Sequence, residues 1–258
     1  MISHERHEDV AIVRLDAPAT LNALTWEMIE RLRDTLDKVE REARVMILTG
    51  AGRAFCSGAD LNGGLGKQVD HPAHIDCGNP LETHVNPLVE RLRSLRVPWI
   101  TAVRGAAAGA GASLALAGDL VIASETAVFV QAFARLSLVP DAGAVHILVR
   151  TIGRVRANEL MLLGGKLAAE KALEWGLINR VVPDNLLDEE AMLLARQLAS
   201  GAASLAAIRR LSWQAQDQSF SDMLWVEREA QRDAGRSEDF AEGVAAFLEK
   251  RAPRFTGR

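Results

Sequence analysis

The sequence predicts an α/β core followed by a region of helices alone. Three observations carry that prediction. Apolar runs of strand length alternate with segments of helical periodicity as far as Asp184. Two of those runs feed turns rich in Gly, Ala, Ser and Cys. Beyond Asp184 the strand-like runs cease, and only helical periodicity continues.

Taken in order, Val10–Leu15 reads as a strand ended by Asp16-Ala17-Pro18. Thr25 has the hydroxyl of a helix cap, and Met28, Leu32, Leu36 and Val39 then recur at helical spacing over 26–42. A buried strand at 45–49 closes at Gly50-Ala51-Gly52 and is followed by Arg53-Ala54-Phe55-Cys56-Ser57-Gly58-Ala59-Asp60-Leu61. From 62 to 86 the pattern dissolves into a long loop of Gly, His, Pro, Asp and Asn. Leu88, Leu92 and Leu95 mark a helix, and 97–103 a strand. A turn rich in Gly and Ala through Arg104 to Ala112 leads to a helix at 113–117. Further strands are expected at 120–123, 127–130 and 178–182, and helices at 144–152, 154–163 and 168–175. The final helices are expected at 186–199, 204–216, 222–235 and 238–250.

Composition narrows the class. Of 258 residues 48% are hydrophobic, enough for a sizeable core. A net charge of −4 argues against nucleic acid or an anionic membrane as the principal partner. Two cysteines, Cys56 and Cys77, fit a reducing compartment better than a disulfide framework. No apolar run approaches the ~20 residues that span a bilayer, so a soluble cytoplasmic protein is expected.

The two small-residue turns suggest the chemistry. Each follows a buried strand, and each can aim an unpaired backbone N–H at a shared oxyanion, as acyl-group chemistry requires. Asp141, after Pro140 at a turn that opens a helix, is either an N-cap carboxylate or a base that removes a proton beside a thioester carbonyl. Ser113, Asp141 and His146 occur in the order of a hydrolase triad, but Ser113 falls inside the expected helix, away from a strand-to-helix elbow. His71, His74, Cys77 and His84 raise a metal site, yet they lie in irregular chain that suits a solvated loop.

Together these stretches resemble the crotonase (enoyl-CoA hydratase/isomerase) superfamily along nearly the whole chain. The matching motifs are Leu21-Asn22-Ala23-Leu24, ILTGAGRAFCSGADL at 47–61, 102–119, WGLINRVVP at 175–183 and 242–251. The resemblance implies a crotonase-like spiral of ββα units, with an acyl-CoA-binding core over 1–195 and a C-terminal helical trimerisation region over 196–258. It implies a homotrimer or hexamer acting on an acyl-CoA thioester, with no metal or redox cofactor. The backbone N–H groups of Ala59 and Ala110 would form the oxyanion hole. Gly58, Asp60, Leu61, Gly109, Phe133 and Pro140 would contact substrate.

Departures sharpen the expectation. Hydratases of the family carry two glutamates at positions that here hold Ser113 and Phe133, neither of which can do acid–base work on water. Phe129-Val130-Gln131-Ala132-Phe133 and Leu138-Val139-Pro140-Asp141-Ala142-Gly143 look like the phenylacetate-degradation branch, the ring 1,2-epoxyphenylacetyl-CoA isomerases, in which the aspartate at this position shuttles a proton. Ala17 and Thr20 stand where many relatives have basic residues, and Ala144-Val145 where the branch commonly has Gly-Thr. An enzyme acting on another acyl-CoA and a non-catalytic acyl-CoA-binding subunit are the alternatives.

Overall fold

The computed structural model describes residues 1–61 and 76–257. Ile2–His7 (β1) turns through Glu8 into Val10–Leu15 (β2), antiparallel to it. Trp26–Glu42 (α1) follows, and Thr25 caps it by accepting the Met28 N–H at 3.1 Å. Val45–Gly50 (β3) is buried throughout. After the first small-residue turn come Gly78–Pro80 (α2), a π-helical turn at Leu81–Val85 and Asn86–Arg93 (α3).

Two β-β-α units then succeed one another. Trp99–Val103 (β4), Ala106–Ala108 (β5) and Ala110–Leu116 (α4) make the first. Leu120–Ser124 (β6), Val128–Val130 (β7) and Ala144–Leu163 (α5) make the second, with α5 broken at Gly153 (φ 76°, ψ 156°). Lys166–Ala168 (β8), Ala169–Glu174 (α6) and Arg180–Val182 (β9) complete the mixed part. Leu187–Ala199 (α7), Ser204–Gln214 (α8), Phe220–Ala234 (α9) and Glu238–Glu249 (α10) follow.

Each unit deals its strands to two different sheets. One sheet has the order β1-β2-β3-β4-β6-β9 and is parallel except for β1; the other has the order β5-β7-β8. Alternation along the large sheet separates two cores. Val10, Ile12, Val45, Ile47, Ile100, Ala102 and Ile122 face α7, whose Leu187, Ala191, Leu194, Ala195 and Ala199 cover them. Ala11, Val13, Leu15, Met46 and Leu48 face the other way, towards Met28, Leu32, Leu36 and Val39 of α1. Register aligns the rows, with Ile12 beside Ile47 and Ile47 beside Ile100. Such two-sided burial explains why β2, β3 and β4 read as apolar runs over most of their length, interrupted only by Arg14, Thr49 and Thr101.

The expected division after 195 falls inside α7, which packs on the sheet on both sides of that point. α8 is also fastened to the core. The Arg209 guanidinium is buried, pairs with Asp119 at 2.6 Å and donates to the carbonyls of Leu92, Arg93 and Leu95 at the end of α3. Among the described residues no single helix is long and apolar enough to cross a membrane.

Candidate active site

The first turn is held from behind by Asn22. This buried residue sits at φ 57°, a conformation asparagine tolerates. Its Oδ1 accepts the Ala17 N–H at 2.9 Å, and its Nδ2 donates to the carbonyls of Ala51, Ala54 and Phe55 at 2.9, 2.8 and 3.2 Å. The chain then forms a parallel bridge with Leu24, whose N–H donates to Gly58 and whose carbonyl accepts from Asp60. A parallel register uses the neighbours' groups and turns the Ala59 N–H to the opposite edge.

The second turn contains more structure than its composition suggests. Ala106–Ala108 is a strand, β5, paired with Val128–Val130. The helix begins at Ala110, three residues before the point expected. Gly109, at φ 53°, donates its N–H to the Val130 carbonyl, and its own carbonyl accepts from Ala112 and Ser113. Ala110 is the first helical residue, so its N–H has no acceptor within the helix.

Ala59 and Ala110 line one cavity of 220 Å³ together with Asp141. Leu24, Trp26, Ile29, Leu81, Val85 and Val139 form most of its apolar wall, and Asp141 is its sole carboxylate among the described residues. Asp141 is half-buried, and its Oδ1 has no hydrogen-bond partner among the described residues. Burial pushes its carboxyl up to about 6. The N-cap alternative fails, because Gly143 occupies the cap of α5 at φ 81° and no side chain caps that helix.

Gly58, Gly109 and Phe133 back the two amides. A Cβ on Gly109 would lie 3.9 Å from the Phe133 Cζ and 4.0 Å from the Gly58 Cα. Asp60 is half-buried and Leu61 exposed on the chain leaving Ala59, while Pro140 is half-buried beside Asp141. None of these six is in the cavity wall, which their neighbours supply. Leu24, Trp26 and Ile29 are wall residues to which the sequence reading gave no site role: Leu24 stood in a family motif, and Trp26 and Ile29 lay within the expected helix. Nothing in their spacing separates the two uses.

The rival constellations do not assemble. Ser113 is fully buried and donates back to the Gly109 carbonyl at 3.3 Å, while His146 contacts Gln216 at 3.0 Å, beyond α8. His71 and His74 lie outside the described residues. His84 packs on the Trp26 ring with centroids 5.2 Å apart and pairs with Glu30 at 3.4 Å. Among the described residues no group of three His, Cys, Asp or Glu side chains is placed to hold a metal ion.

Two sheets threaded by β-β-α units, with two small-residue turns meeting at one acyl-sized cavity, define a crotonase fold. The enoyl-CoA hydratase/isomerase family model matches residues 5–258, and the chain belongs to that family of acyl-CoA enzymes. It is 47% identical to the 1,2-epoxyphenylacetyl-CoA isomerase of Escherichia coli K12, covering 100% of this chain and 98% of that one. It is 42% identical to a Rhodobacter capsulatus protein named "Probable enoyl-CoA hydratase", again over 100% and 98%. The crystal structure of an enoyl-CoA hydratase from Bacillus anthracis superposes with a TM-score of 0.90 at 32% identity, covering 100% and 99% of the two chains.

Proposed function

We propose that this protein is an acyl-CoA isomerase in which Asp141 moves a proton while the N–H groups of Ala59 and Ala110 hold the thioester oxygen. One observation carries the reading. Among the described residues, the cavity that both turns reach has a single carboxylate, raised in pKa and unpartnered at Oδ1. A carboxylate of raised pKa is a stronger base, better matched to a carbon acid at neutral pH. It takes a proton from the carbon beside the carbonyl, and the C–H electron pair moves onto the thioester oxygen. The two N–H groups meet that charge as it develops. Return of the proton at another carbon completes a 3-enoyl to 2-enoyl shift.

Conversion of ring 1,2-epoxyphenylacetyl-CoA to its oxepin isomer is the preferred reaction, supported by the name of the E. coli relative. The Rhodobacter relative's name favours hydration. Against it stand Ser113 and Phe133 at the positions where hydratases of the family carry glutamate. Incubation with a 3-enoyl-CoA in deuterated water, followed by mass spectrometry, separates the readings. Double-bond migration without added water supports isomerisation, a hydroxyacyl product sinks it, and retained binding without either change identifies a silent acyl-CoA-binding subunit.

We further propose that 196–258 contains the self-association surface. Phe220, Trp225, Phe247 and Leu248 are exposed, and a groove of 930 Å³ runs among α8, α9 and α10. Sedimentation equilibrium should return three or six copies; a monomer at micromolar concentration would remove the proposal.

A further inference from the structure

Cys56 is where the two turns are joined. Its N–H donates to the Ala106 carbonyl at 3.1 Å, and its carbonyl accepts the Ala108 N–H at 2.9 Å, which zips it to β5. Its side chain is fully buried. The Gly58 N–H, one residue before Ala59, donates to the Cys56 Sγ at 3.4 Å. On the other side stands Gly111, one residue after Ala110. A Cβ on Gly111 would lie 2.7 Å from both Cβ and Sγ of Cys56 and 2.6 Å from its carbonyl oxygen, so no side chain fits between α4 and this residue. Burial pushes the thiol up to about 12, which keeps it neutral and unreactive.

We infer that Cys56 is a positioning residue: its Sγ accepts the N–H of the Ser57–Gly58 peptide, reaches the Gly58 carbonyl of the next peptide at 4.0 Å, and so holds the chain entering Ala59 against α4 and sets the gap between the N–H groups of Ala59 and Ala110. The inference rests on reading those two groups as donors to the thioester oxygen. Replacing Cys56 by Ala removes the acceptor, orphans the Gly58 N–H in the core and leaves the turn free to shift. Small displacements of catalytic donors are costly, because electrostatic stabilisation depends on preset geometry.

The test uses the full chain as Cys56→Ala, Cys56→Ser and Cys56→Val, with folding checked by thermal denaturation. Its main readout needs no turnover: the absorption band of a bound para-dialkylamino-cinnamoyl-CoA shifts to the red when donors polarise the thioester carbonyl. Cys56→Ala should weaken that shift and lower kcat about tenfold with KM little changed. Cys56→Val, which fills the space without an acceptor, should behave alike, and covers the case in which the Ala variant fails to fold. Cys56→Ser, which restores an acceptor, should keep the shift. A shift in the unaltered protein that persists undiminished in the Ala or Val variant overturns the role of Cys56 alone. No red shift in the unaltered protein overturns the oxyanion reading and this inference with it.

Discussion

A side chain on Gly58 would begin 2.9 Å from the carbonyl oxygen of Ala108. The turns that carry Ala59 and Ala110 therefore meet backbone to backbone. Gly58 also sits at φ +100°, where residues with a Cβ are strained. Gly58→Ala should lower kcat at least tenfold and cost about 2 kcal/mol of stability through backbone strain and the displaced carbonyl. Steady-state kinetics and denaturant titration measure the two effects. Wild-type turnover would show that the close approach is dispensable.

Asp141→Asn separates catalysis from stability. Turnover should fall by about 10²–10⁴-fold, the usual range for a lost general base, with acyl-CoA affinity nearly unchanged. The same change removes an ionised carboxylate from a site that disfavours it. At pH 7 it should raise stability by about 1–2 kcal/mol, discounted from the full shift because the side chain is half-exposed. A variant that is both active and less stable would contradict both roles.

The pH dependence has a defined sign. Burial raises the carboxyl of Asp141 to about 6 in the fold, against ~4 in the unfolded chain. Between those values the folded protein holds a proton that the unfolded chain has lost, so this group's contribution to stability falls as pH rises and levels off above the folded value. Activity runs the other way, since the base must be ionised. A plot of kcat/KM against pH, which reports the free enzyme, should rise through about 6 to a plateau. A plateau already reached at pH ~4.5, close to the unperturbed carboxylate range, would exclude Asp141 as the base.

Asn22→Asp tests the support of the first turn. Nδ2 donates to three carbonyls, and a carboxylate in its place would accept only and face all three with negative charge. A loss of about 3 kcal/mol or more is expected from the unpaired buried groups, larger than for Asn22→Ala. Thermal denaturation of both variants decides the order. If the aspartate variant matched the alanine variant in stability, the carbonyl contacts would not be what holds the turn.

Legibility in the sequence followed local signals. α1 could be read because Thr25 offers a cap and its apolar residues keep helical spacing. β2, β3 and β4 could be read because burial on both faces leaves no polar interruption in most of their length. β1 and β5 could not. Ile2–His7 is polar or charged in most of its length, and Ala106–Ala108 is alanine alone, a poor strand former. Each is a strand only because a partner, Val10–Leu15 or Val128–Val130, supplies its hydrogen bonds.

The sequence by itself determined the order of most elements and the two small-residue turns, because composition and spacing are local properties of the chain; it was the family resemblance that pointed within them to Ala59 and Ala110, and to Asp141 as a base where its local setting also left a helix cap open. Tertiary structure alone decided that both turns and that acid open on one cavity. It also decided that Gly143 takes the helix cap and that Cys56 and Gly111 press the turns together. Those outcomes depend on which surfaces pack and which backbone groups pair across segments far apart in the chain. No window of sequence contains them.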